Sequence, residues 1–108
     1  MPRRTDQLAQ EIRDDVGKFL KSEIEFPADT FVTVTRVEVS KNRRAAKVYL
    51  SSLPETSGLR ALKTVRQRLY ALQGAVNESL GRRHAPRLTL ALDRMPRELE
   101  RLDRLVRQ

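Results

Sequence analysis

Two β-branched segments separated by a short polar turn constrain the fold of this chain more than any other feature of its sequence. The first, Phe31 to Ser40, contains four valines and two threonines that alternate in part with polar residues, which is typical of a β-strand. The second, Arg44 to Leu53, predicts another strand, and the turn at 41–43 predicts an antiparallel hairpin. Asn42 is the turn residue expected to accept a left-handed conformation. One face of the second strand carries the apolar residues Ala46, Val48 and Leu50.

Helical periodicity surrounds this hairpin. Residues 5–24 predict an amphipathic helix whose apolar face carries Leu8, Ile12, Val16, Phe19 and Leu20. After Pro54, a second apolar stripe runs from Leu59 to Leu72 and resumes at Val76. Because glycine weakens a helix interior, Gly74 predicts a bend or break between two helices, and Gly81 predicts the end of the second.

A third strand and a C-terminal segment complete the pattern. Leu88, Leu90 and Leu92 alternate with smaller or polar residues, and Pro96 is suited to open a last helix. We therefore predict an α+β fold with helices on one face of a three-stranded sheet, comprising a domain over 1–94 and a helical tail over 95–108. The tail either docks on its own domain or serves as a partner-binding helix.

Charge is distributed unevenly along the chain. The sequence has 22 Lys+Arg against 14 Asp+Glu, a net charge of +8. Residues 56–108 alone hold 12 basic and 5 acidic residues, so nearly all the excess lies in the second half. This asymmetry favours a localised anion-binding patch over a uniformly solvated surface, although solubilising charge alone is the simpler interpretation.

Several classes of protein are excluded by composition. The chain has no Cys and one His, which excludes disulfide scaffolds, Cys-ligated zinc and His-cluster metal sites, so no cofactor is expected. No apolar run reaches the length of a membrane span, and the polar N-terminus does not resemble a secretory signal, so we expect a cytoplasmic protein without a membrane partner. Asp14, Asp15 and His84 are the sole candidates for catalysis, and no sequence-local group completes a catalytic site; we therefore expect no enzyme.

The order helix–strand–strand–helix–helix–strand corresponds to a type II KH domain, although the GXXG loop of ordinary KH modules is absent. With this order of helices and strands, the chain resembles the ribosome-binding factor A family. The resemblance covers roughly residues 5–106 and rests on the strand motifs at 32–40 and 46–51, on Gly74, and on an Arg-Pro-Leu-Asp pattern around the third strand. That last pattern comprises Arg83, Pro86, Leu88 and Asp93.

The resemblance implies a non-catalytic protein that binds the small (30S) ribosomal subunit late in its assembly. It further implies help with 5′-end maturation of 16S rRNA and support of growth after cold shock. The chain departs from the family pattern at Leu72, Asn42 and Arg43. It also has a shorter connection at 80–83, which predicts a shorter third helix.

Eight residues of the second half are candidates for contact with RNA. The cations would bind phosphates, the amides would donate hydrogen bonds, and helix ends near Gly74 would offer backbone N–H groups. Since most aromatic residues are assigned to the core, base stacking is not expected to dominate. The candidates are Lys63, Arg66, Gln73, Gly74, Asn77, Arg82, Arg83 and Arg87.

Two other functions fit parts of the sequence. The helical pair around Gly74 is compatible with a helix–turn–helix DNA-binding protein, for which the hairpin is an awkward addition. A basic protein-interaction module acting through the tail is the other alternative. We favour a monomeric RNA-binding protein without a small-molecule substrate.

Overall fold

A three-stranded sheet with its second strand at the centre organises the molecule. The structure, a computed structural model, describes residues 4–93. The second strand in the chain pairs antiparallel with the first on one side and parallel with the third on the other. The elements, in chain order, are α1 (Thr5–Ser22), β1 (Phe31–Val39), β2 (Ala45–Leu53), a 3₁₀ turn (Glu55–Ser57), α2 (Gly58–Gln67), α3 (Leu69–Leu80) and β3 (Arg87–Leu92). The predicted α+β class is thereby confirmed, while the tail predicted over 95–108 lies outside the described residues.

The hydrophobic core lies between the helices and one face of the sheet. From β2 the core receives Val48 and Leu50, both fully buried, as the alternation in the sequence predicts. Each helix buries its apolar stripe against this face because removing such side chains from water stabilises the fold by roughly 1.5–3 kcal/mol each. The buried helical residues are Leu8, Ile12, Val16, Phe19, Leu20, Ala61, Val65, Leu72, Val76 and Leu80. The opposite, helix-free face of the sheet is mostly polar.

A β-bulge explains why the alternation in β1 is only partial. Val34 pairs with Leu50 and Arg36 pairs with Tyr49, so Thr35 is an extra residue opposite this step of β2. An extra residue reverses the phase of a strand, because successive side chains point to opposite faces. Val32 and Val34 before the bulge therefore pack against the same core as Val37 and Val39 after it.

Asp93, the residue that follows β3, forms hydrogen bonds with both other strands. The backbone N–H of Asp93 donates to the carbonyl of Leu50 over 2.8 Å. Its buried carboxylate accepts a 2.6 Å hydrogen bond from the hydroxyl of Thr35, and the Nε of Arg36 lies 3.6 Å from the same oxygen. The end of β3 is thus fixed to both other strands.

The break between the second and third helices lies at Arg68, so the bend predicted at Gly74 is wrong. Arg68 has the non-helical angles φ −107° and ψ 13°, whereas Gly74 lies inside α3. The guanidinium of Arg68 donates to the carbonyl of Glu23 over 2.9 Å and lies 5.6 Å from the ring of Phe19. The end of α1 therefore anchors the break, through contacts with residues 45 or more positions earlier that helical periodicity does not reveal.

The turn between β1 and β2 also differs from expectation. The left-handed residue is Arg43, with φ 60°, and not Asn42. The side chain of Asn42 instead accepts hydrogen bonds from the Ser40 hydroxyl at 2.7 Å and from the backbone N–H of Arg44 at 3.0 Å. A short amide side chain that replaces backbone partners in this way stabilises a tight turn.

Replacement of Gly74 tests whether this residue is needed for a bend. A Cβ built on Gly74 meets no atom within 4 Å, so we expect Gly74→Ala to raise the free energy of unfolding by roughly 0.5–1 kcal/mol. Urea denaturation followed by circular dichroism measures the change. Gly81→Ala is the matched control, because its φ of 84° disfavours a side chain and the exchange should destabilise the protein. A destabilised Gly74→Ala protein would contradict this account of the break.

Candidate nucleic-acid interface

Within residues 4–93, exposed positive charge is concentrated at the end of the sheet where β2 and β3 both begin. These strands are parallel, so their first residues, Ala45 and Arg87, stand side by side. The backbone N–H of Arg87 donates to the carbonyl of Arg44 over 2.9 Å. This pairing brings the β1–β2 turn next to the loop that precedes β3.

We call the exposed cations at this end of the sheet the basic rim. The segments 40–45 and 81–87 that carry them contain no acidic residue, so neither segment offsets its own positive charge. Exposed cations grouped without acids attract a polyanion and bind it with release of counterions. The members of the basic rim are Lys41, Arg43, Arg44, Arg82, Arg83 and Arg87.

The α3–β3 loop holds two of these arginines in a compact turn. Gly81 ends α3 as predicted, and its carbonyl accepts hydrogen bonds from the backbone N–H groups of His84 at 3.0 Å and Ala85 at 3.1 Å. Arg82 and Arg83 occupy the exposed part of this turn, a few residues before Arg87. The loop is therefore short and internally bonded, which limits the entropy lost when its cations bind a partner.

Gln73 braces the start of β3. Its side-chain Nε2 donates to the carbonyl of Pro86 and its Oε1 accepts from the backbone N–H of Leu88, both over 2.9 Å. Arg87, which lies between Pro86 and Leu88, donates its own backbone N–H to β2. Gln73 therefore bonds the other edge of β3, where a further strand would otherwise pair. The amide is thus engaged within the domain and fixes the backbone on both sides of Arg87.

Gly74 and Asn77, the other candidates on α3, lie close to Gln73. Asn77, one turn after Gln73 and half-buried, accepts a 3.0 Å hydrogen bond from its Nε2. Gly74 is exposed, and the open space above its Cα would let a backbone approach closely. Gln73, Gly74 and Asn77 therefore form a neutral border next to the rim.

Lys63 and Arg66 are not part of this arrangement. Both are exposed on α2, whose first residue is Gly58. A Cβ added to Gly58 would lie 3.3 Å from the side chain of Leu92, at the opposite end of β3 from Arg87. Within residues 4–93, neither side chain makes a hydrogen bond or ion pair. The eight candidates thus divide into a group at the rim and a separate pair on α2.

The assignment of most aromatic residues to the core is wrong. Phe19 is buried and Phe26 packs half-buried against the core, whereas Phe31 and Tyr70 are 68% and 93% exposed, respectively. Tyr49 is half-buried on the helix-free face, where the guanidinium of Arg36 lies 3.9 Å from its ring centroid and its hydroxyl donates to Glu38. The amphipathic patterns fail here because these aromatic residues occupy strand ends, a helix start and the second face of the sheet.

Three members of the basic rim are missing from the eight RNA-contact candidates that the sequence predicts. Lys41, Arg43 and Arg44 belong to the charge-balanced first half of the chain and read as an ordinary polar turn. The signal that reveals them is topological: when β3 is parallel to β2, the turn before β2 must lie beside the loop before β3.

Other kinds of site find less support in the described part of the chain. Over residues 4–93, no group of three or more His, Cys, Asp or Glu side chains is placed to hold a metal ion. In the same range no helix combines the length and hydropathy that crossing a bilayer requires. Asp14 accepts a hydrogen bond from Gln10, one turn earlier on the exposed surface of α1.

Loss of the Gln73 brace should destabilise the protein. Gln73→Leu leaves the carbonyl of Pro86 and the N–H of Leu88 without their partner, so we expect the free energy of unfolding to fall by roughly 1–3 kcal/mol. Chemical denaturation measures this loss, with Arg83→Leu as a control at an exposed position that bears no such bond. Equal stability of the two variants would show that Gln73 does not brace β3.

Comparison with known proteins agrees with this architecture. The model of the family described as ribosome-binding factor A matches residues 4–106. Ribosome-binding factor A from Thermomicrobium roseum is 36% identical over 112 residues, covering 97% of this chain and 82% of the relative.

Solved structures show the same fold. The crystal structure of ribosome-binding factor A from Thermus thermophilus aligns with a TM-score of 0.71 and 23% identity, over 85% of this chain and 98% of the other. A second structure is a homology model of the Thermus thermophilus factor fitted into a cryo-EM map of its complex with the 30S subunit. It aligns with a TM-score of 0.65 and 24% identity, over 84% and 96% of the two chains. The family match over nearly the whole chain, on a fold built from the same elements, establishes that this chain belongs to the ribosome-binding factor A family.

Proposed function

We propose that this protein binds the small ribosomal subunit during late assembly and assists maturation of its 16S rRNA, including processing at the 5′ end. The observation that carries the proposal is the basic rim, where two segments of the chain gather six cations without an acid between them. The protein acts as a binding factor rather than as a catalyst, and works as a monomer in the cytoplasm, where ribosomes are assembled.

The chemistry of the rim matches the phosphates of folded RNA better than single-stranded bases. Five of its six members are arginines, whose planar guanidinium groups donate two hydrogen bonds at once to phosphate oxygens. No aromatic residue belongs to the rim, so it lacks the stacking platform of single-strand binders. Recognition of backbone geometry is therefore the expected mode, and such binding weakens steeply as salt concentration rises.

The backbone of the β1–β2 turn supports a binding role for Arg43. A residue other than glycine with φ 60° is uncommon, and the left-handed conformation costs an L-residue roughly 1–2 kcal/mol. Glycine or asparagine would fill this position with less strain. An arginine held there is explained by a function of its charge at the tip of the rim.

The family supports the identity of the partner. The Thermus thermophilus relative is described in complex with the 30S subunit. This chain shares its family and fold, and the basic rim supplies a surface suited to ribosomal RNA. The proposed role in 16S maturation rests on family membership together with this surface.

Charge reversal in the α3–β3 loop tests the proposal. We expect Arg82→Glu combined with Arg83→Glu to weaken binding to small subunits by at least about tenfold at low salt, because two attractive phosphate contacts become repulsive. Co-sedimentation with purified immature subunits measures the loss. Lys18→Glu combined with Lys21→Glu, on α1, is the matched control with the same change in net charge.

Three outcomes distinguish the alternatives. Equal losses in both double variants would show that net charge alone matters and that the rim is not the site. Undiminished binding of the loop variant would exclude this loop as a contact. A preference of the unmodified protein for duplex DNA over 16S rRNA would favour a helix–turn–helix function.

Arg43→Gly separates binding from stability. Because glycine adopts φ 60° freely, we expect the free energy of unfolding to stay unchanged or to rise by up to about 1 kcal/mol. Affinity for small subunits should fall, and the salt dependence of binding should decrease by about one counterion. Thermal melting and salt-titrated co-sedimentation provide the two measurements. Unaltered affinity and salt dependence would remove Arg43 from the interface.

A further inference from the structure

We propose that the helix-free face of the sheet binds unpaired nucleobases of RNA, with Tyr49 and Arg36 as the stacking groups. Side chains of all three strands alternate onto this face, opposite the helices. At its centre, Tyr49 of β2 pairs with Arg36 of β1 on one side and with Ala91 of β3 on the other. Such a site would contact bases, whereas the basic rim is proposed to contact phosphates.

Within residues 4–93, no helix packs on this face of the sheet. The buried residues of β2 and β3 all alternate onto the other face, where the helices lie. On the helix-free face Lys47 and Thr89 are exposed, and Tyr49 and Arg36 are half-buried. An uncovered sheet that carries aromatic and basic groups is one of the surfaces on which proteins bind single-stranded RNA.

Tyr49 and Arg36 are held together in the middle of this face. The guanidinium carbon of Arg36 lies 3.9 Å from the centroid of the Tyr49 ring, and the amine of Lys47 lies 5.4 Å from it. Arg36 also donates to Glu38 and lies 3.6 Å from the carboxylate of Asp93. The Tyr49 hydroxyl donates to Glu38 over 3.1 Å. Because both planar groups are already fixed, a base that stacks on them has little side-chain entropy to overcome.

The side chains around this pair are small or carry hydroxyl groups. Ala91, beside Tyr49 on the β3 side, contributes only a methyl group there. Thr33 and Ser51, the next pair on this face along β1 and β2, have hydroxyl oxygens 3.1 Å apart. Hydroxyl groups both donate and accept hydrogen bonds, so they can pair with the edges of bases. The face therefore combines a stacking surface with hydrogen-bonding groups next to it.

The charges of this face favour RNA over a protein partner. Arg87, a member of the basic rim, alternates onto this face, and Lys47 lies one pair further along the β2–β3 ladder. Among the described residues, the acids of this face are Glu38 and Asp93, and Arg36 interacts with both carboxylates. Cations therefore dominate the path from the rim to the centre of the sheet, which suits a polyanion.

The distance from the rim to Tyr49 suits a single strand of RNA. Ala45, the partner of Arg87, precedes Tyr49 by four residues, or about 13 Å along β2. A few nucleotides span this distance. A strand whose phosphates contact the rim can therefore place its following bases on Tyr49 and Arg36.

Two oligonucleotides of equal charge test for recognition of bases. One is a fluorescein-labelled, single-stranded adenine decamer of RNA, and the other has the same backbone without bases. We expect the full chain to bind the adenine decamer at least about fivefold more tightly, measured by fluorescence anisotropy, because stacking strengthens binding. Equal affinities would leave this face to another partner, such as a protein, and would overturn the inference. So would a failure to bind the adenine decamer by protein that still binds small subunits.

Substitution of Tyr49 locates the stacking surface. Tyr49→Leu should bring the two affinities close to equality, whereas Tyr49→Phe retains the ring and should keep the preference for the adenine decamer. Tyr70→Leu is the matched control at a tyrosine that is 93% exposed on α3. Unchanged affinity for the decamer without bases, together with far-UV circular dichroism, verifies that each variant is folded. A preference that survives Tyr49→Leu, or that falls as far in Tyr49→Phe or Tyr70→Leu, would contradict the role of the Tyr49 ring.

Substitution of Arg36 separates stacking from charge. Arg36→Lys keeps the positive charge but lacks the planar group, so we expect a severalfold loss of affinity for the adenine decamer at an unchanged salt dependence. An unaltered preference for bases would overturn the assignment of Arg36 as a stacking group. Arg82→Glu combined with Arg83→Glu should weaken binding of both decamers by the same factor. The ratio of the two affinities therefore reports on the helix-free face, whether or not the basic rim binds RNA.

Discussion

The central position of β2 determines how the rest of the structure is arranged. Its core-facing residues, among them Val48 and Leu50, are fully buried under the helices, and its edges bond both other strands in opposite senses. The antiparallel partner β1 is reached by a tight turn, whereas the parallel partner β3 requires a crossover through α2 and α3. One strand therefore fixes two connections at the same end of the sheet, and those two connections carry the basic rim.

The rim combines charged side chains with a backbone that is held in place by neutral groups. Asn42 and Ser40 order the turn, the carbonyl of Gly81 orders the loop, and Gln73 clamps the first residues of β3. Each of these supports is uncharged, so the scaffold orders the rim without subtracting from its positive charge. Pre-ordering matters because each side chain or loop immobilised on binding subtracts from affinity.

The fold was largely predictable from the sequence, and the details of the site were not. Period-two and helical patterns correctly predicted all three strands, the apolar face of β2 and the end of α3 at Gly81, because burial imposes these regularities locally. The break at Arg68 depends on a hydrogen bond to Glu23, distant in sequence, and no local pattern encodes it. Gln73 illustrates the same limit: the sequence predicts an RNA contact for its amide but does not reveal the hydrogen bonds that the amide makes to Pro86 and Leu88.

The bulge in β1 affects how the protein tolerates insertions and deletions. Without Thr35, the remaining residues from Val32 to Val39 would alternate without interruption and could keep their partners in β2. The extra residue is therefore dispensable for pairing, but its hydroxyl holds Asp93. An in-frame loss of this codon would remove the hydrogen bond from the Thr35 hydroxyl to Asp93, while the backbone bond from Asp93 to Leu50 would remain. Length variation at this position thus affects how Asp93 is held rather than how β1 pairs with β2.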